Sequence, residues 1–209
     1  MKLWSKSFND GDFIPDEFAF CLPDPANHVC LGRNLNPHLA WDNAPPDTQS
    51  FALICCDPDV PSRGDDVNRD DRSVPASLPR VDFFHWVLAN LPAARREIRA
   101  GEFSSQVVPR GKPGPQAAHG TLQGINDYTG WFAGDHDMSG DYYGYDGPCP
   151  PWNDEIVHHY VFTLYALDIP ALPSLEGKLS GAMLREAMAG HILAEASLTG
   201  RYSVNPALR

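Results

Sequence analysis

What the 209-residue chain lacks already narrows its class. No apolar run approaches the ~20 residues that span a bilayer, and the opening MKLWSKSFND has no apolar stretch of the kind that directs secretion. Basic residues are few: 16 Lys and Arg stand against 27 Asp and Glu, for a formal net charge of -11. A field of that sign repels nucleic acid and anionic bilayers, so neither is expected as a partner. It leaves room for a small local anion pocket. The five cysteines include no C-x-x-C pair, which argues against a zinc site. Cys55 and Cys56 lie in an apolar run and read as small core residues. The expected compartment is a reducing cytoplasm. There is no repeat, no low-complexity linker, and no G-x-S-x-G elbow that would announce a serine nucleophile. The length fits one domain over residues 1–209, with no cofactor indicated.

What is present points to strands. Twenty prolines and 17 glycines suit many turns better than a helical bundle. The first 45 residues mix aromatics with prolines, which predicts short edge strands and loops. SFALICC, Ser50 to Cys56, is apolar on both alternating sets, as in a strand buried on both faces. It is expected to stop at Asp57-Pro58, because Pro58 cannot donate to a ladder. RVDFFHWVLANLP, Arg80 to Pro92, is a second such strand, with Phe83, His85, Val87 and Ala89 on one face and Phe84, Trp86 and Leu88 on the other. HHYVFTLYAL is a third, with His158, Tyr160, Phe162 and Leu164 together and His159 opposite. AARREIRAGEF predicts a short helix or an irregular turn. Near the C-terminus, Ser180 is a fit N-cap for a helix through Met188, and HILAEASLTG predicts its continuation or a second helix, stopped at Gly200. The class is mainly β with C-terminal α.

Three buried strands thus each carry polar groups near one end: Asp57 with Asp59, His85, and His158 with His159. Strand ends lie side by side, so these groups can share one concave site. Imidazoles, the Tyr160 hydroxyl and turn amides together suit a phosphate-like anion. The aspartate would then orient a histidine and favour its protonated form. Taken singly, each mark has a plainer reading: a strand histidine is usually a hydrogen-bonded core residue, and Asp-Pro-Asp is a turn signature.

In order along the chain, DPDVPSR, DFFHWVLANLP, GYDGPCPPWNDEIVHHYVFTLYALD and GHILAEASLTGRY resemble the phosphatidylethanolamine-binding protein (PEBP) family. These proteins are also called Raf kinase inhibitor-like, and the likeness is to their bacterial-type branch. The resemblance implies a large antiparallel sheet packed on a smaller sheet, with C-terminal helices. It implies an anion pocket able to take phosphate, acetate or a phospholipid head group, formed by Asp57, Asp59, Pro61, His85, Pro150, Pro151, His158 and Tyr160. It further implies a kinase or protease as a partner in some relatives, and often a homodimer. His159 replaces the arginine usual between that histidine and tyrosine. The loops 64–79 and 114–141 look long; they would cover the pocket or build a dimer surface, with Trp131, Phe132, Tyr142 and Tyr143 as aromatic anchors or as packing for their own loop.

Two other functions compete with a binding protein that is not an enzyme. A hydrolase would use the Asp/His pocket for acid–base work on an ester or phosphoester. A metal site would use His85, His158 and Asp57 as ligands.

Overall fold

The computed structural model describes residues 1–172 and 178–209. The three long strands predicted from apolar runs are its centre. They are β5 (Ser50–Pro61), β6 (Arg80–Pro92) and β9 (His158–Leu167). The others are β1 (Lys2–Trp4), β2 (Cys21–Asp24), β3 (His28–Leu31), β4 (Leu39–Asp42), β7 (Glu97–Ile98), β8 (Leu122–Gln123) and β10 (Ile192–Tyr202). Among the described residues helix is scarce: α1 (Tyr128–Trp131), α2 (Gly181–Ala187) and three short 3-10 turns.

A five-stranded antiparallel sheet runs β10-β9-β5-β6-β8. One face packs on the small sheet β1-β4-β7: Phe51, Leu53, Cys55, Leu88 and Phe162 join Leu3, Leu39, Trp41 and Ile98 in one core. The opposite face carries Ala52, Ile54, Cys56, Val87 and Ala89 against Leu184 and Met188 at α2. β5 is therefore apolar on both sides because it is covered on both sides. The hairpin β2-β3 forms a separate ribbon. Among the described residues, no helix is long and apolar enough to cross a membrane.

Three expectations are corrected. First, His191 does not begin a helix: Ile192–Tyr202 is an edge strand paired with β9 from Leu167 to His158. Ala194, Ala196, Leu198, Gly200 and Tyr202 turn inward while Glu195 and Ser197 face solvent, a period of two that the helix-favouring Ala, Leu and Glu obscure. Second, β5 does not stop at Asp57. Its pairing with β9 ends at Cys56, but it continues along β6 to Pro61. Pro58 and Asp59 lie in a bulge between the Asp57 and Val60 pairs, where a missing N–H is tolerated. Third, the faces of β6 do not alternate throughout. Cys55 pairs with Trp86 and Cys56 with Phe84, so His85 is an inserted residue. His85 and Trp86 then lie on the same side of the sheet, as do Phe83 and Leu88, with Phe84 and Val87 on the other.

Cys55 and Cys56 are core residues, as expected, but one cysteine pairing departs from the reducing compartment expected. Cys21 and Cys149 form a disulfide, joining β2 to the proline loop across 128 residues, while Cys30, Cys55 and Cys56 are free. Disulfides persist in oxidising compartments and are rare in reducing ones; a cytoplasmic chain would hold these two as thiols.

Candidate functional site

His85, at the bulge, lines a cavity of about 550 Å³. Asp57, Pro61, His85, Pro150, Pro151, His158 and Tyr160 all line it. Asp59 does not. It turns to the other face, where its carboxylate accepts from the His159 backbone N–H (2.8 Å) and meets His159 Nδ1 (2.8 Å). That pair is where His159, the departure from the usual arginine, finds its partner. The rest of the wall is largely apolar: Phe20, Val60, Phe83, Phe132 and Met138, with exposed Leu31 and Trp131 at the rim.

Both long loops cover the pocket. Gly64, Val67 and Asn68 come from the first, and Tyr128, Trp131, Phe132 and Met138 from the second. Asn153 anchors the first loop, its side-chain amide donating to the Asp66 and Arg72 carbonyls and its oxygen accepting from the Asn68 N–H. In the second, Tyr142 is buried and Phe132 packs between Tyr128 and Tyr142, so these aromatics pack their own loop and the pocket wall.

His158 is fully buried and both ring nitrogens face carboxylates. Nδ1 lies 2.8 Å from Asp57 and Nε2 3.1 Å from Asp154. Burial alone would drive the ring toward neutrality. The Asp57 charge and the hydrogen bonds of Asp154 and Asp57 outweigh it and push the pKa up to about 9, so at neutral pH the ring is a doubly protonated imidazolium. Asp154 is held in turn by Arg80, which donates to both carboxylate oxygens (2.6 and 3.0 Å). Burial tends to raise the Asp154 pKa, but His158 and Arg80 bring it below the usual carboxylate range. Arg80 spends its other N–H groups on the carbonyls of Asp59, Leu78 and Pro75. Asp57, His158, Asp154 and Arg80 thus form a row of alternating charge that sums to zero. The second oxygen of Asp57 accepts from the Asp59 N–H (2.8 Å).

His85 sits in a different electrostatic setting. Its Nδ1 donates to the Asp146 carbonyl (2.8 Å), and the Asp146 N–H donates back to the His85 carbonyl (3.0 Å). Asp146 is itself fixed: Asn34, Asn126 and Lys112 surround its carboxylate at 2.7, 2.8 and 3.0 Å. Next to it, Gly147 passes so close to the Phe18 carbonyl that a Cβ would collide with it. Burial pulls the His85 pKa below its ordinary value, opposed chiefly by Asp57 and the Asp146 carbonyl. The neutral ring with Nδ1–H leaves Nε2 as a lone-pair acceptor, with no protein partner among the described residues. Its neighbour Tyr160, at a ring separation of 5.0 Å, has a buried hydroxyl that makes no hydrogen bond.

The aspartate therefore orients a histidine, as expected, and that histidine is His158. The metal reading does not fit: both nitrogens of His158 are committed to carboxylates as donors, and among the described residues no group of three or more His, Cys, Asp or Glu is arranged to hold an ion. Arg80, Asp146 and Asp154 were not picked out as site residues. Asp154, four residues before His158, and Asp146 both lie in the quoted stretch from Gly144, but only folding reveals what they touch.

Comparison with known proteins bears on the family and the fold. The phosphatidylethanolamine-binding protein family matches residues 4–203. The chain belongs to that family. It is 34% identical to the UPF0098 protein YbhB of Escherichia coli K12, covering 97% of this chain and all of that one. It is 35% identical to a UPF0098 protein of Methanothermobacter thermautotrophicus, covering 97% and 98% of the two chains. Among solved structures, a putative phosphatidylethanolamine-binding protein homolog of Chlamydia trachomatis, CT736, superposes with a TM-score of 0.64 at 29% identity, over 97% of this chain and 96% of that one. Escherichia coli YbcL shares the fold, with a TM-score of 0.67 at 24% identity over 97% of each chain.

Proposed function

We propose that this protein binds a small anionic group, of the kind found on phosphate, acetate or a phospholipid head group, at the floor of the pocket. The observation that carries this reading is the polar floor of an otherwise apolar cavity, where the His85 ring is bonded through Nδ1 alone and the buried Tyr160 hydroxyl has no partner. A buried hydroxyl without a partner is costly, on the order of 1–3 kcal/mol, and the bare nitrogen of His85 gives the floor a second polar group for a ligand to meet. The apolar walls would hold whatever is attached to the anionic group.

A binding role is preferred to a hydrolytic one. Neither His85 nor His158 hydrogen-bonds to a serine or a thiol among the described residues, so no activated nucleophile supports catalysis. The kinase, protease and dimer associations implied by the family resemblance add nothing to the chemistry of this pocket. The test is thermal unfolding with increasing sodium acetate or phosphate. The melting temperature should rise with anion at constant ionic strength, and the rise should vanish in His85→Ala. Unchanged melting at tens of millimolar of either anion would overturn the reading.

A further inference from the structure

We infer that the β2–β3 hairpin is a redox-controlled flap on the pocket mouth, strapped shut by the Cys21–Cys149 disulfide and released when a dithiol reduces it. The device governs access to the cavity, and its bearing on function rests on the reading of that cavity as a binding site.

The hairpin is the part of the pocket wall that the two larger sheets hold least. It supplies Cys21, Val29, Cys30 and Leu31 to the cavity. Among the described residues its strands pair only with each other. A two-stranded ribbon is marginally stable by itself, so its position depends on what fastens it. Leu22 and Val29 rest on the main core, but both are only half-buried.

Directional fastenings occur at the base and at the tip. At the base, the Phe20 and Cys21 N–H groups donate to the Pro148 carbonyl (2.9 and 3.2 Å), and the disulfide joins Cys21 to Cys149. At the tip, the His28 ring stacks on Trp152, with centroids 3.8 Å apart and planes 7° from parallel, and its Nε2 lies 3.0 Å from Asp70. The two ends differ in strength. Cys149 sits on a stiff post: Pro148 and Pro150 fix the backbone on either side of it, and the Tyr128 hydroxyl holds the Gly147 carbonyl (2.8 Å). The tip contact is wet. His28 is half-exposed and Asp70 almost fully exposed, so water competes for it. Once the disulfide is broken, the base keeps two N–H bonds to one carbonyl and the tip keeps a solvated stack. Opening of the hairpin then becomes a local event, separate from unfolding of the sheets.

The chemistry is thiol–disulfide exchange. Both cysteines line the cavity; Cys21 is buried and Cys149 half-buried, so Cys149 Sγ is the sulfur that a thiolate reaches. Attack there breaks the Cys21–Cys149 bond, forms a mixed disulfide on Cys149 and leaves Cys21 as a thiolate that takes a proton from water. The second thiol of the reductant then displaces Cys149 and closes the reductant's own disulfide. The dithiol loses two electrons and the two protein sulfurs gain them. The bond that a reducing compartment would break is thus the one that keeps the mouth closed.

The experiment is hydrogen exchange on the full chain without ligand, carrying Cys30→Ser to prevent shuffling with the free thiol, before and after treatment with dithiothreitol. On reduction, amides of residues 20–32 should exchange at least about tenfold faster, while those of β5, β6 and β9 keep their rates. In oxidised His28→Ala, which releases the tip alone, exchange should rise about threefold at residues 25–29 and stay unchanged at the base. Unchanged exchange in the hairpin on reduction would overturn the flap. So would equal acceleration across the large sheet, or global unfolding, since the disulfide would then be a staple of the whole fold. Acetate entry, followed by NMR line broadening, should be at least about fivefold faster in the reduced protein. Acetate that enters both forms at one rate would overturn the gate. Acetate that binds neither form would overturn the anion-binding reading instead, and the exchange rates would still decide the flap.

Discussion

The pocket floor holds two buried histidines in opposite conditions. His158 has a carboxylate at each ring nitrogen and is charged; His85 has one backbone carbonyl, is neutral, and keeps one nitrogen unused. Depth does not separate them, since both are buried. Hydrogen-bond saturation does. A saturated ion network has nothing left to offer a ligand and acts as scaffold, holding β5, β6, β9 and the loop after the prolines together. An unsaturated corner gains free energy only when something enters.

The comparison breaks most sharply if one member of the charged row is removed. Arg80→Met leaves Asp154 without its bidentate partner, and truncating one side of a buried pair typically costs about 3–5 kcal/mol. Urea unfolding should show a loss of that size; a loss below about 1 kcal/mol would mean the row is not structural.

The next effect is in pH, and the two histidines carry opposite signs. His158 has a folded pKa of about 9 against 6.5, so its contribution is complete below pH 6.5 and is lost as pH rises through 9. The loss is on the order of 3 kcal/mol. His85 has a lowered folded pKa, so its neutral form is the one the fold prefers, and stability should fall as pH drops below 6.5. Chemical unfolding from pH 5 to 9 should therefore give a maximum near 6.5. His85→Gln should flatten the acid side alone.

Smaller still is the effect of Tyr160→Phe. Removing a buried hydroxyl with no partner should leave stability unchanged or raise it by about 1 kcal/mol. The smallest change is expected at the half-exposed Asp59–His159 pair, on the far face. Asp59→Ala paired with His159→Ala in a double-mutant cycle should give a coupling below about 1 kcal/mol, with anion-dependent melting unaltered.

How much of this was legible in the chain depends on the range of the signal. β5, β6 and β9 were readable because burial on both faces leaves continuous apolar runs, and the His158 and Tyr160 face followed from simple alternation in a regular strand. β10 was missed because its inward positions hold small residues in a background of helix formers. The bulge that re-aims His85 leaves no mark within Arg80–Pro92, since it is a property of pairing with β5. The same holds for Asp146 and Asp154, and for Cys21–Cys149 across 128 residues: residue type allows the contact, and only the fold makes it.

The most direct test of the central contrast is ¹⁵N NMR of the imidazole nitrogens at pH 7 in the ligand-free protein. His158 should show two protonated nitrogens. His85 should show one, at Nδ1, with Nε2 bare. A neutral His158, or a His85 protonated at both nitrogens before any ligand is added, would contradict the assignment of one histidine to the scaffold and the other to the ligand.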